Sequence, residues 1–299
     1  MEFQPFTLCC RGRLITYSRP VIMGILNVTP DSFYDGGRYL TDEQIVTRAQ
    51  QLLSDGADII DVGVVSSRPG AQLLSPADEA AKLAPVVTLL RQHLSPDTII
   101  SVDTCYSLPA RRAVEAGADI INDISGGQFD LDPKGGNDPN GASRMFQTVA
   151  ELQVPYILMH TKGTPDTMQR PENTQYSDIV DDLVRYFSQK LDTLLRLGVK
   201  DIIIDPGFGF AKTVEQNHEL LNRLDEIVDL FPDRPLLAAL SNKSMISKRL
   251  TDLPPHTNGL PSTEIGTVAL NALALDRGAR LIRVHSPALN RITTTLINS

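Results

Sequence analysis

The sequence predicts an α/β protein, a (β/α)8 barrel of the TIM type with an N-terminal β-hairpin, and two observations carry that expectation. The first is alternation. Short Ile- and Val-rich runs recur between longer amphipathic stretches, the pattern of parallel strands covered by crossover helices. The runs fall at 21–26, 57–62, 98–102, 119–122, 156–159, 201–205, 235–240 and 281–285, and helical spacing follows at 42–55, 77–92, 106–116, 144–153, 177–197, 214–230 and 264–277. A doubly wound sheet uses the same alternation, but eight strands within 299 residues is the count of a barrel. The second observation is an internal echo. Gly56-Ala57-Asp58-Ile59-Ile60-Asp61 returns as Gly117-Ala118-Asp119-Ile120-Ile121-Asn122, with looser versions starting at Gly198 and Gly278. Each glycine stands where a helix must end in a left-handed residue before the chain enters a strand.

Residues 1–20 stand apart from the repeat. FTLCC and LITYS flank Arg11-Gly12-Arg13 and read as a hairpin placed to close the N-terminal mouth of the barrel. The Gly-, Pro-, Asn- and Asp-rich stretch 130–143 reads as a surface loop after the fourth strand, and 252–262 as a second loop before the last unit. No linker divides the chain, so residues 1–299 are expected to form one domain.

Hydrophobic residues make up 41% and charged residues 21%, enough apolar content to bury a core. With no tryptophan, that core must rest on Ile, Leu, Val and Ala. Lys and Arg total 28 against 36 Asp and Glu, a net charge of −8, which argues against a general nucleic-acid binder while leaving room for a local anion pocket. No apolar run is long enough to span a bilayer, and the N-terminus lacks the pattern of a secretory signal. Adjacent Cys9 and Cys10 with a distant Cys105 make no disulfide framework, and a reduced cytoplasmic location is expected.

The chemistry collects at one end of the strands. Asn27, Asp61 with Ser67 and Arg68, Asp103, Asn122 and Asp123, His160, Asp205, Ser241 with Lys243, and Arg283 with His285 all stand at or just beyond strand C-termini. That face carries the active site in barrels of this kind. Singly, each has a plainer reading: Asp123 serves equally as a helix N-cap and His160 as a satisfied loop histidine. Together they describe a pocket with carboxylates and amides in the middle and cations at the rim. Such a pocket suits a flat polar ring carrying a phosphorylated tail. Other chemistries find no support. DPGFGFAKT (205–213) has Ala211 where a phosphate loop needs glycine, the five histidines show no zinc spacing, and there is no GxSxG elbow.

The strings GILNVTPDSFYDGG (24–37), DIIDVGVVSSRPGA (58–71), SVDT (101–104), INDISGG (121–127), MHTKGTPDTMQ (159–169), DPGFGFAKT (205–213), SNKS (241–244) and RVH (283–285) together resemble the dihydropteroate synthase family. The resemblance runs in order from about residue 21 to 290. It implies the condensation of 6-hydroxymethyl-7,8-dihydropterin diphosphate with para-aminobenzoate, Mg2+ as cofactor, a homodimer through C-terminal helices, and a family targeted by sulfonamides. By motif, Asp103, Asn122, Met159, Asp205 and Lys243 resemble the pterin pocket. Asn27 resembles the Mg2+ ligand, and Ser67, Arg68, Arg283 and His285 the diphosphate site. Phe33, Phe210, Lys243 and Ser244 resemble the para-aminobenzoate pocket, with loops 28–38 and 64–74 closing over it. Asp103, Asp205, Lys243, Arg283 and His285 are the expected catalytic set.

Some positions depart from the family pattern. Val64-Val65 replaces Gly-Glu, Asn242 stands where arginine is usual, and Ser286-Pro287 follows RVH in place of Asp. Ser followed by Pro is a good helix start, so the last change is structurally neutral. A pterin-dependent methyltransferase shares the barrel and the middle-strand Asp and Asn, but NVTPDSF, SRPG, Lys243 and RVH oppose it. A non-catalytic pterin-binding paralogue is favoured by Asn242 and Val64-Val65 alone.

Overall fold

Pairing begins with a two-residue turn. Arg11 and Gly12 both take positive φ, 51° and 78°, the backbone that lets a tight hairpin match the twist of its strands. It joins β1 (Phe6–Cys10) to β2 (Arg13–Tyr17) in an antiparallel pair. The computed structural model describes residues 3–28, 41–65, 74–132 and 143–297.

Eight parallel strands follow: β3 (Val21–Asn27), β4 (Ile59–Gly63), β5 (Ile99–Asp103), β6 (Ile120–Asp123), β7 (Tyr156–Met159), β8 (Ile202–Asp205), β9 (Leu237–Ala238) and, last in sequence, β12 (Leu281–Val284). Their spatial order is β8-β7-β6-β5-β4-β3-β12-β9. The two ends meet where Ile204 N–H donates to Pro235 C=O at 3.0 Å and Ile204 bridges Leu236, which makes the sheet a barrel. The expected strand at 235–240 contributes only two ladder residues, since Pro235 cannot donate to a ladder.

Helices α1 (Asp42–Ser54), α2 (Pro76–His93), α3 (Ser107–Glu115), α4 (Arg144–Leu152) and α5 (Ile179–Arg196) cover the outside of the barrel in turn. The predicted single helix 214–230 is two, α6 (Val214–Asn222) and α7 (Leu224–Leu230), broken at Arg223 (φ −110°, ψ 20°). Arg223 is tied to Asp178 at 2.9 Å and Glu226 at 2.8 Å, and the break lets both helices bury their leucines. After a short α8 (Ser244–Ser247), the predicted loop 252–262 contains a small hairpin of β10 (His256–Thr257) and β11 (Leu260–Pro261). Then come α9 (Ser262–Asp276) and α10 (Pro287–Ile297), which starts at the Ser-Pro pair. Gly56, Gly117, Gly198 and Gly278 all have positive φ, so the repeated helix-to-strand joint is present as read. Most of the insertion 130–143 lies outside the described residues.

Strand residues split by parity into two cores. Ile22, Ile60, Val62, Ile100, Val102, Ile121, Leu158, Ile204 and Ile282 face the helices. Val21, Met23, Ile59, Ile99, Ile120, Ile157, Ile203, Leu237 and Leu281 face the axis, where Phe6, Leu8 and Cys10 of the hairpin pack beneath them. The hairpin thus plugs the N-terminal mouth. It is pinned by Cys9 N–H donating to Asp201 Oδ2 (2.8 Å) and Arg13 to Asp97 Oδ1 (2.9 Å).

Candidate active site

The register that puts isoleucines in the inner core also selects the side chains above them. Two residues beyond Ile59, Ile120, Ile157, Ile203 and Leu281 stand Asp61, Asn122, Met159, Asp205 and Arg283, with Asp103 and Asn27 on the same parity at the tops of β5 and β3. Arg283 is the centre. Its Nε donates to Asp61 Oδ2 at 2.6 Å and its Nη2 to Asp103 Oδ2 at 2.8 Å. Asn122 Nδ2 donates to the same Asp61 oxygen at 3.1 Å. Burial works against the Arg283 charge, but Asp61 and Asp103 outweigh it and the guanidinium stays fully charged. Burial likewise raises Asp103, with Arg283 pulling the other way.

Asp205 faces this cluster from β8. Its Oδ1 accepts Gly207 N–H at 2.7 Å. Burial raises the carboxyl, and Lys243 is the largest influence lowering it. Gly207 has φ +70°, and a Cβ there would lie 2.0 Å from the His160 carbonyl oxygen, so only glycine permits this turn. Lys243 Nζ donates to Phe208 C=O and lies 4.6 Å from the centre of the Phe210 ring. Burial pushes Lys243 down to about 8 against the pull of Asp205. Phe210 and Lys243 therefore form one wall, and exposed Ser244 begins α8 beside it.

At the end of β12, His285 Nδ1 lies 2.9 Å from Ser241 Oγ, which also accepts the His285 backbone N–H at 3.2 Å. Arg48 of α1 donates to the His285 carbonyl at 3.1 Å. Asn27 and Asp103 flank Gly63 at the tops of β3 and β5: a Cβ on Gly63 would sit 3.5 Å from Asn27 Oδ1 and 3.9 Å from Asp103 Oδ2.

Two strand-end residues are not in the pocket. Asp123 has the outward parity and accepts Ser125 N–H (2.7 Å), Gly127 N–H (2.7 Å) and the Tyr156 hydroxyl (2.6 Å), which makes it a loop holder. His160 is also turned outward, packed edge-on against Tyr186 at 4.7 Å and bonded to Lys212 at 3.0 Å. Phe33, Ser67 and Arg68, with most of loops 28–38 and 64–74, lie outside the described residues. Asp61 was visible in sequence as a strand-end acid but had no role there. Its place two residues beyond an inward isoleucine is the signal that finds it.

The family described as pterin binding enzyme matches residues 23–285 of this chain. Dihydropteroate synthase of Streptococcus pyogenes serotype M3 is 37% identical over 282 residues, 94% of this chain and 95% of that protein. The Synechocystis sp. dihydropteroate synthase is 40% identical over 269 residues, 89% of this chain and 85% of that one. Among solved structures, the Yersinia pestis dihydropteroate synthase with a sulfonamide drug complex has a TM-score of 0.83 at 35% identity, covering 98% of both chains. The Xanthomonas albilineans dihydropteroate synthase with 4-aminobenzoic acid has a TM-score of 0.79 at 34% identity, covering 97% of this chain and 96% of that one. The ordered motifs, the barrel and these similarities agree, and the chain belongs to the dihydropteroate synthase family of pterin-binding enzymes.

Proposed function

We propose that this protein is a transferase that moves the pterinylmethyl group of 6-hydroxymethyl-7,8-dihydropterin diphosphate onto para-aminobenzoate, giving 7,8-dihydropteroate and diphosphate for folate synthesis. The observation that carries the proposal is the inward ring of Asp61, Asp103, Asn122, Asp205, Lys243 and Arg283 at the open end of a barrel whose other end is plugged.

In this reading Asp205 accepts from the 2-amino and ring N–H groups of the pterin, a charge-assisted pair in a buried setting. The pterin C–O bond breaks, its electrons leave with diphosphate, and positive charge develops on the pterin methylene. Asp103 and Asp205 offset that charge from fixed positions. The aniline nitrogen attacks the methylene and then loses a proton, so no activated protein nucleophile is needed. Two edges of Arg283 hold Asp61 and Asp103, which leaves Nη1 to meet the anion together with His285. Ser241 accepts the His285 backbone N–H, so its own hydroxyl proton is free to point at Nδ1. Ser241 Oγ, 2.9 Å from Nδ1, thereby fixes the orientation of the imidazole.

Asn27 offers an amide oxygen at the top of β3, and hard oxygen donors suit Mg2+. Among the described residues no three His, Cys, Asp or Glu side chains gather to hold a metal. Asn27 would hold the Mg2+ through this amide oxygen. When bound, it supplies positive charge that stabilises the leaving diphosphate.

Phe210, Lys243 and Ser244 would receive para-aminobenzoate, and sulfonamides would compete there. A homodimer through the C-terminal helices fits the exposed Ile292 and Leu296 on α10. A cytoplasmic location fits the free Cys9, Cys10 and Cys105, and among the described residues no helix is long and apolar enough to cross a membrane. The test is release of diphosphate from the pterin substrate with and without para-aminobenzoate. Release that depends on the amine supports the proposal. Pterin binding without any release favours the non-catalytic paralogue, to which Asn242 points.

A further inference from the structure

We propose that the base of the barrel holds a second site, separate from the rim, for a small oxyanion: a phosphate or carboxylate bound by Arg280 in the cavity between the N-terminal hairpin and the starts of β8 and β9.

The cavity measures about 240 Å3. Strand β1 forms one wall. The others come from Lys200 and Asp201 ahead of β8, Asp233 and Arg234 ahead of β9, and Arg280 ahead of β12. A smaller hollow of about 70 Å3 shares Gln4, Pro232 and Arg280 with it. Sites for drug-sized ligands run to roughly 300–1,000 Å3, so this one suits a smaller molecule.

Arg280 is 6% exposed, yet its side chain makes a single hydrogen bond, from Nη2 to Pro232 C=O at 2.7 Å. A guanidinium carries five N–H donors, so four are left without a protein partner among the described residues. Asp233 attracts the charge from farther off, without forming an ion pair. Other arginines at this end of the barrel are each paired with an acid: Arg13 with Asp97, Arg19 and Arg291 with Asp58, and Arg91 with Asp119. Donors this buried are ordinarily satisfied, and a buried charge without a partner is costly. The backbone of Arg280 is tied into the barrel, since its N–H donates to Leu236 C=O and its carbonyl accepts Val21 N–H, both at 2.9 Å. Its head group is thereby kept at the cavity wall, where an anion with two or more oxygens meets a planar fork of donors.

The neighbours favour the same sign of ligand. Arg234 Nη1 donates to the Lys200 carbonyl at 3.0 Å, and neither Arg234 nor Lys200 has an ion-pair partner among the described residues. Of the two acids, Asp201 already accepts Cys9 N–H through Oδ2 at 2.8 Å, and Asp233 is exposed. Three cations thus stand against two acids, one of which is already engaged. The base of a barrel serves stability rather than chemistry. A ligand here joins the hairpin to the strand starts and stabilises the native state by mass action.

The experiment is calorimetric titration of inorganic phosphate and, separately, succinate into the full chain, with the thermal unfolding midpoint followed in parallel. At least one of the two should bind and raise the midpoint. Arg280→Met should weaken that binding by about tenfold or more, the order of a lost hydrogen-bonded charge. The rim offers anions a competing place at Arg283, so the same titration is run on Arg283→Met, and binding at the base should survive that change. Two exposed residues decide if Arg280→Met does not fold. Lys200→Gln should weaken binding and Asp233→Asn should tighten it, each by about two- to fivefold. Binding of phosphate alone or of succinate alone supports the proposal and tells which oxyanion the site takes. No binding of either, binding that Arg280→Met leaves unchanged, or binding that vanishes in Arg283→Met overturns it. Weaker binding in Asp233→Asn overturns it too, because the ligand would then need that acid and could not be a simple anion.

Discussion

Asn122 and Asp123 are adjacent, chemically similar and both buried, yet only Asn122 reaches the pocket. Alternation along β6 turns one to the axis and the other to the helices. Asn122→Ala should therefore weaken pterin binding by about tenfold, the order expected for leaving a ligand or Asp61 without its donor. Tyr156→Phe removes a donor from buried Asp123. It should lower stability by about 1–3 kcal/mol in denaturant unfolding while pterin affinity stays within about twofold. Lys243 gives a pH signature. Its proton comes off near pH 8, below the usual lysine range, because burial disfavours the cation. The cation is present below that pH and lost above it. Binding of the pterin diphosphate should therefore weaken as pH climbs past about 8, and Lys243→Arg should delay the loss, read as Kd against pH. The residue types of the site were legible in sequence because polar residues at strand ends are unusual. Their parity was not fully so, since a one-residue error in a strand start exchanges inside for outside. Arg283 shows the limit most clearly. It read as a diphosphate ligand, and in the fold two of its three nitrogens belong to Asp61 and Asp103. Asn242, an exposed departure from the family pattern, takes φ +55°, a left-handed conformation that asparagine accepts more easily than arginine.

Among the elements, the N-terminal hairpin shows how far local signals carry. Its turn was readable from Arg11-Gly12, and its plugging role follows from three alternate side chains, Phe6, Leu8 and Cys10, that meet the inner core. Leu8→Ala should cost about 2–5 kcal/mol through lost burial and a residual cavity, measured by chemical unfolding. Turnover below the melting range should be unaffected, because the plug sits at the end of the barrel opposite the pocket. The helix-to-strand joints were equally legible, since glycine is the residue that ends a helix in left-handed geometry. The break at Arg223 was not. The leucine spacing continues through it, and the ion pairs that accompany it come from Asp178 and Glu226, one of them far away in sequence. The small hairpin β10–β11 turns at Asn258 and Gly259, both at positive φ. Its Asn-Gly pair is a hairpin signal in itself, masked here by the prolines around it.

For the molecule as a whole, closure and charge work together. A chain with net charge −8 would repel an anionic substrate at long range, an effect that salt screens within about 8–10 Å. Its pocket nevertheless gathers Lys243, whose proton Asp205 helps to retain against burial, and Arg283, which Asp61 and Asp103 keep charged and oriented. One mouth of the barrel is filled by the hairpin, so ligands reach these groups from the strand C-termini. The account's central claim is that the inward residues of that rim recognise a pterin ring, and Asp205→Asn tests it most directly. The change preserves shape but replaces an acceptor-only carboxylate with an amide that presents donors. Loss of a charge-assisted pair in this setting is worth about 1.5–3 kcal/mol, so calorimetry with 6-hydroxymethylpterin should show affinity at least about tenfold below wild type. Equal affinity for the two proteins would contradict the claim.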